Sequence, residues 1–248
     1  MDCEFEGRVA LVTGASSGIG RAAAIRLAEG GAHVVAIGRR ANRISELGGT
    51  PLTADLTIEA ERTRIVDETV AAHGRLDILV NAAGILVPGS IENTTLAAWD
   101  QTMDINLRAT FHLMSLAVPH LAAQRGNIVN VSSVTGLRSF PGILAYSISK
   151  AALDQLTRCA ALELASRYVR VNAVNPGVVV TEAHVSGGME PSRYQDFLER
   201  SRSTHPLGRV AQPEEIADLI AFLASDRASW ITGVTYSIDG GRALTCAR

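Results

Sequence analysis

Residues 145–150 read Ala-Tyr-Ser-Ile-Ser-Lys and open a long apolar stretch. A helix through them stacks Tyr146 and Lys150 on one face, one turn apart. An ammonium so placed favours the phenolate, and a phenol near neutrality gives or takes a proton at a carbonyl or alcohol. Moving a tyrosine pKa from about 10 to about 7 takes about 4 kcal/mol, within reach of an adjacent cation in a site screened from water. Ser133 lies upstream at the end of an apolar run, Asn127–Ser132. Asn106 stands within Met103-Asp-Ile-Asn-Leu107, in a helical stretch where asparagine is a poor former and marks a possible kink.

A second group of residues supplies a partner for that chemistry. The run Thr13-Gly-Ala-Ser-Ser-Gly-Ile-Gly20 follows the apolar Val9–Val12 and precedes a helical pattern. Gly14 permits a tight exit from a strand, Gly18 lets a pyrophosphate approach the backbone, and Gly20 lets the helix pack closely on the sheet. The helix N-terminus then presents free N–H groups and its positive end to phosphate, with Ser16 and Ser17 as caps or donors. The spacing G-x3-G-x-G differs from the better-known GxGxxG. The next strand, His33–Ile37, ends in Gly38-Arg39-Arg40. No carboxylate stands where an NAD-selective site keeps one for the ribose 2′-OH. Arg39 is placed to fork onto a 2′-phosphate, with Arg40 or Arg43 nearby, so NADP(H) is the expected cofactor and NAD(H) the alternative.

These residues need a scaffold of a particular kind. Val9–Val12, His33–Ile37, Leu52–Ala54, Ile78–Val80, Ile128–Val131, Val169–Val174 and Thr235–Ile238 read as strands. Their apolar residues run without alternation, as in strands buried on both faces of a parallel sheet. Helical stretches near Gly20–Glu29, Glu59–His73, Leu96–Gln124, Ala145–Arg167 and Pro213–Leu223 alternate with them, and only a brief helix fits between Arg40 and Leu52. The expected fold class is α/β, one Rossmann-type doubly wound parallel sheet of about seven strands flanked by helices, spanning residues 1–248. Glu182–Pro206 breaks the rhythm with Gly187, Gly188, Pro191 and Pro206 and a helical piece, Ser192–Arg202; it reads as a substrate flap. Ala151–Leu164 is apolar around most of its circumference, which predicts burial on more than one side and a subunit interface.

Together these motifs closely resemble those of the short-chain dehydrogenase/reductase family over nearly the whole chain. The matches are TGASSGIG at 13–20, Asp55, NAAG at 81–84, Asn106, Ser133, YSISK at 146–150 and NPGVVVT at 175–181. The resemblance implies an oxidoreductase moving hydride between NADP(H) and a secondary alcohol or ketone. It implies Tyr146 as general acid/base, with Lys150 lowering its pKa and binding the nicotinamide ribose. Ser133 would hold the substrate oxygen, and Asn106 would anchor a water relaying protons from Lys150. By the same resemblance Asp55 and Leu56 line the adenine pocket, Asn81, Ala82 and Gly84 border the cofactor, and Pro176, Gly177 and Thr181 flank the nicotinamide, with Ile19 and Val179 completing the cofactor set. The family's common Asn-Asn-Ala-Gly is here Asn81-Ala82-Ala83-Gly84. The resemblance also implies helix pairing across a twofold axis, often within a homotetramer.

Substrate contacts are expected from Leu86, Leu137, Phe140, Val180, His184, Val185, Met189, Tyr194 and Phe197, a mostly apolar set that favours a hydrophobic body. Arg125 and Arg167 would suit an acidic carrier, as in the related 3-oxoacyl-(acyl carrier protein) reductases. An NAD-dependent alcohol or steroid-type dehydrogenase and a cofactor-binding scaffold without turnover are the other readings. The net charge of -2, with no basic arm, argues against nucleic acid. No apolar run approaches the ~18 residues of a membrane span. The acidic start Met1-Asp-Cys-Glu-Phe-Glu lacks the features of a signal peptide and enters a strand at once. Cys3, Cys159 and Cys246 lie far apart, which fits a reduced, cytoplasmic setting. The six histidines include no HExxH and no cluster with cysteine, so no metal site is expected.

Overall fold

The computed structural model describes residues 4–245; Cys3 and Cys246, and the ends of the tail to which they belong, lie outside the described residues. Seven parallel strands form one sheet in the order β3-β2-β1-β4-β5-β6-β7. They are β1 (Val9–Thr13), β2 (His33–Gly38), β3 (Thr50–Thr53), β4 (Ile78–Asn81), β5 (Asn127–Val131), β6 (Arg170–Pro176) and β7 (Thr235–Ile238). The chain winds one way through β1, β2 and β3, then returns beside β1 with β4. That reversal opens a crevice at the carboxyl ends of β1 and β4, where open α/β sheets take ligands. The chain before β1 forms a turn over residues 4–7 rather than entering the strand directly.

The lack of alternation in the strand sequences now has its cause. Ala10 and Val12 face one core, whose helices are α1 (Gly18–Glu29) and α9 (Pro213–Ala224). Val9 and Leu11 face the other, packed by α3 (Glu59–His73), α5 (Ala109–Gln124) and α6 (Leu144–Leu164). Val34 and Ala36 against Val35 and Ile37 repeat the division in β2. Successive side chains point to opposite faces, and both faces are covered. α1 docks closely because it carries Ala22, Ala23 and Ala24, all buried. Pro213 at its first turn and a Glu215 carboxylate accepting from Gln212 N at 2.9 Å set the start of α9.

Short helices complete the chain: α2 (Ala41–Ser45), α4 (Leu96–Met103), α7 (Ala183–Ser186) and α8 (Pro191–Thr204). Two elements depart from expectation, and a third is seen with only its inner face covered within one chain. The third strand begins earlier, at Thr50, because its pairing with β2 starts where Val35 meets Thr50 rather than at the apolar Leu52. The helix expected over Leu96–Gln124 is divided: α4 ends at Met103, Asp104–Arg108 forms a π-turn, and α5 follows. The α6 stretch buries one face only, with Leu153, Asp154, Thr157 and Ala161 inward, while Gln155, Arg158 and Leu162 face outward.

Candidate active site

Three elements set the residues of the expected tetrad: the segment after β5, the start of α6 and the π-turn. Ser133 ends the segment after β5 and caps the 3₁₀ turn Val134–Gly136, its Oγ accepting from Thr135 N at 3.2 Å. Tyr146 and Lys150 occupy the first turns of α6, with Lys150 Nζ 5.7 Å from the centre of the Tyr146 ring. Asn106 sits in the π-turn and is 1% exposed. Its Oδ1 accepts from Ile85 N at 2.8 Å, and its Nδ2 donates to Ile85 O at 2.9 Å and to Ser149 Oγ at 3.0 Å. Ser149 donates in turn to the carbonyl of Tyr146 at 2.7 Å. Asn106 is therefore a clasp between the loop after β4 and α6. A π-turn inserts one residue into the helical ladder, a distortion concentrated at functional sites.

Gly84 sits at the meeting point. A Cβ there would lie 3.3 Å from Asn106 Oδ1 and 3.6 Å from Lys150 Nζ. Lys150 is buried and donates to the carbonyl of Val131 at 2.8 Å. Burial lowers its pKa to about 8, with the carboxylate of Asp154 acting the other way. Asp154, one turn on, is itself pushed up by burial. Asn175 Nδ2 donates both to Asp154 Oδ2 and to the carbonyl of Ser133, each at 2.9 Å.

The electrostatics of Tyr146 differ from expectation. Burial raises its pKa above the ordinary phenol value, and hydrogen bonding with Ser133 offsets part of that rise. Lys150 is not among the causes: its ammonium is turned to Val131 O, and a ring-centroid distance of 5.7 Å weakens the pull expected of a direct neighbour. The protein by itself therefore holds a protonated phenol.

The glycine turn has the shape the sequence implies. Gly14 adopts φ +68°, and a Cβ there would lie 2.9 Å from the backbone of Ala82 and Ala83; one on Gly20 would lie 2.5 Å from Gly14 O. Thr13 Oγ1 accepts from Ala82 N and Ala83 N at 3.1 Å each, joining this turn to the NAAG loop. Ser17 occupies the N-cap of α1 but makes no side-chain cap bond, and Ser16 Oγ instead accepts from Arg40. Asn81 lies at the crevice end of β4, yet its side chain enters the core and donates to Asn130 Oδ1 at 2.9 Å. Asn130 then donates to Thr157 Oγ1 at 2.9 Å, so Asn81 meets the crevice through its backbone alone. Asp55 Oδ1 accepts from Thr57 N and Oγ1, which hold its pKa low, and Arg39 acts in the same sense. Leu56 packs on the core. Pro176, Gly177, Val179 and Thr181 follow in order from β6 toward the flap. His205 buttresses this run, its Nε2 accepting from Val178 N at 3.1 Å.

The flap is two helices, α7 and α8. His184 and Phe197 pack with tilted rings 4.4 Å between centres, and Tyr194 stacks beside Phe197 at 6.4 Å. Tyr194 hydroxyl is already engaged, donating to Thr181 O at 2.8 Å and accepting from Thr181 N at 3.1 Å. It is thus a tie within the flap as much as a lining residue. A cavity of about 430 Å³ opens between α1 and the flap, bounded by Gly18, Arg21, Val180, Thr181, Glu182 and Tyr194 among others. It does not contain Ser133, Tyr146 or Lys150. Among the described residues no group of three or more His, Cys, Asp or Glu is arranged to hold a metal. No described helix is long and apolar enough to cross a membrane.

Residues 14–243 match the family model described as Enoyl-(Acyl carrier protein) reductase. The chain belongs to the short-chain dehydrogenase/reductase family. It is 39% identical to the 3-oxoacyl-(acyl-carrier-protein) reductase FabG of Thermotoga maritima, over 97% of this chain and 99% of that protein. It is 36% identical to the L-xylulose reductase of Mesocricetus auratus, over 99% and 100%. A short-chain dehydrogenase/reductase of unknown function from Caenorhabditis elegans, solved with cofactor, superposes with a TM-score of 0.92 at 36% identity, covering 98% of each chain. This short-chain dehydrogenase/reductase is accordingly an oxidoreductase of CH–OH and keto groups, and the family's cofactor is a nicotinamide dinucleotide, NAD(P)(H).

Proposed function

We propose that this enzyme interconverts a ketone and a secondary alcohol with NADP(H), the substrate carrying a hydrophobic body. The observation that carries the reading is the meeting of Ser133, Tyr146 and Lys150 at the carboxyl end of β5, beside the glycine turn. The residues fit a dinucleotide. Gly14 and Gly18 take positive φ and let the turn pack against the Ala82–Ala83 backbone and Thr181, α1 aims its N-terminus at the turn, and no acid ends β2. Bound NADP(H) supplies hydride to the substrate carbon.

The chain's own residues manage the oxygen. Ser133 Oγ accepts from Thr135 N and its hydroxyl bonds Tyr146; a substrate carbonyl between the two would take over the serine's hydrogen. Tyr146, protonated in this state, gives its proton to the developing alkoxide as reduction proceeds. Lys150 stays cationic below about pH 8, and its charge favours the phenolate that results. Asn106 holds the Ile85 segment against α6, keeping Lys150 and Tyr146 in register. The flap aromatics His184 and Phe197, with Leu86, Leu137 and Phe140, would cover the substrate body.

The test is a panel of ketones and alcohols with NADP(H) and with NAD(H), followed by nicotinamide absorbance. Binding without turnover across the panel would favour a scaffold instead. A second reading, reduction of a carrier-bound 3-oxoacyl group, draws on the 39% identical relative and on two neighbouring surface cations. Arg125 stacks on Tyr168 at 4.7 Å, and Arg167 is the residue before it. Equal turnover of free and pantetheine-linked ketones would count against it. Assembly as a homo-oligomer, a tetramer by the resemblance, is supported by Phe111 and Leu162, which are 54% and 82% exposed on α5 and α6; a monomer in light scattering would refute it.

A further inference from the structure

The flap and the arginine loop are joined across the crevice by one carboxylate. Glu182, first residue beyond Thr181, receives Arg40 Nη1 at 2.6 Å and Arg43 Nη1 at 2.5 Å. Arg40 follows β2 and Glu182 follows β6, on opposite sides of the β1–β4 switch point. The bridge therefore spans the mouth of the dinucleotide crevice. Both of its ends are fixed. Arg40 also donates through Nη2 and Nε to Ser16 Oγ, at 3.2 and 3.3 Å, inside the glycine turn. Glu182 is held by its neighbour Thr181, whose Cγ2 lies 3.0 Å from where a Gly18 Cβ would stand and whose backbone is tied to Tyr194. The two arginines keep the Glu182 carboxyl below its usual range, so it is charged throughout the working pH.

We infer that Glu182 is a specificity-determining strap: its carboxylate occupies Arg40 and Arg43, the cations beside Arg39 that would help it hold a 2′-phosphate, so NADP(H) must displace it and NAD(H) need not. The inference rests on the NADP(H) reading above and adds to it a competitor and a link to the flap. A phosphate monoester carries about -1.5 to -2 charges and three acceptor oxygens, against one charge and two oxygens for the carboxylate. The phosphate therefore outbids the strap while forfeiting part of its binding energy. Each pair is about half exposed, at side-chain exposures of 39–44%, so each is weak and the strap is easily opened. Once it opens, α7 is released from the β2 side. Cofactor phosphate and flap position are then coupled.

The experiment uses full-length protein titrated separately with NADP and NAD by calorimetry, as wild type, Glu182→Gln, and the triple variant Arg39→Gln, Arg40→Gln, Arg43→Gln. Glu182→Gln should tighten NADP by about three- to tenfold and leave NAD within about twofold. Without cofactor, it should also hasten trypsin cleavage at Arg193, Arg200 and Arg202 in the flap, all exposed. Equal changes for both cofactors, or weaker NADP binding, overturn the strap. So does an unchanged NADP/NAD ratio in Glu182→Gln when the triple variant lowers that ratio; the NADP(H) reading then stands alone. If the triple variant itself leaves the ratio unchanged, the NADP(H) reading falls and the strap falls with it.

Discussion

Replacing Lys150 by methionine should abolish turnover and change how stability depends on pH. Lys150 is 4% exposed, and its pKa is about 8 against an ordinary 10.5. The gap, 10.5 minus 8, at about 1.4 kcal/mol for each pKa unit, is about 3 kcal/mol. The sign follows from proton counts. Between about pH 8 and 10.5 the unfolded chain holds a proton on this lysine that the native protein has released, so native stability rises with pH. The penalty of burying the cation is complete below about pH 8 and gone above 10.5. Methionine has no such penalty, and it loses only the bond to Val131 O, which does not titrate in this window. Urea unfolding of both proteins, at about pH 7 and about pH 10, isolates the effect, because other titrations are common to both. Wild type should gain most of ~3 kcal/mol on the variant between those points. A difference that stays flat across the range would mean that Lys150 is not desolvated as described, and the electrostatic account of the site would fail with it.

Other outcomes follow from the same geometry. Tyr146→Phe should lower kcat by at least about a hundredfold with little change in NADPH affinity, since only the transferable proton is removed; stopped-flow reduction and a fluorescence titration read the two separately. The kcat/KM for NADPH should fall as pH rises through about 8, because that ratio reports the free enzyme and the cationic form of Lys150 exists only below that value; a profile level to pH 10 would contradict it. Asn106→Ala breaks three hydrogen bonds at a 1% exposed position and should cost about 2–4 kcal/mol in urea unfolding. Gly14→Ala puts a methyl 2.9 Å from the Ala82–Ala83 backbone at positive φ, and should weaken dinucleotide binding well before it unfolds the protein.

How much of this was legible in the chain depended on how far apart the cooperating residues lie. The strands announce themselves because each is buried on both faces, and Glu59–His73 was readable to its last residue. Tyr146 and Lys150 are readable because a helix fixes their relation over four positions. The π-turn at Asp104–Arg108 was visible only as a weak hint from Asn106, since a one-residue insertion leaves the apolar pattern on both sides intact. What Ser149, Thr13, Asn175 and Glu182 would bond to gave no local signal, even where the residue itself stood in a quoted motif. Their partners lie 43, 70, 21 and 142 residues away, and a lone polar residue does not say whom it will meet. The depressed pKa of Lys150 was equally hidden, because it depends on burial beneath β5 rather than on neighbours in sequence.

His205 has a consequence for motion. It is 3% exposed, with Nδ1 against Ser201 O at 2.6 Å and Nε2 against Val178 N at 3.1 Å. One imidazole thus staples the trailing end of α8 to the strand that launches the flap. The two stems of the excursion are stitched side by side, while its tip at Gly187 lies close against the Leu86 carbonyl, where a Cβ would collide. The whole excursion therefore hangs on one ring, and loosening that ring would free the end of α8 and the turn after β6 together.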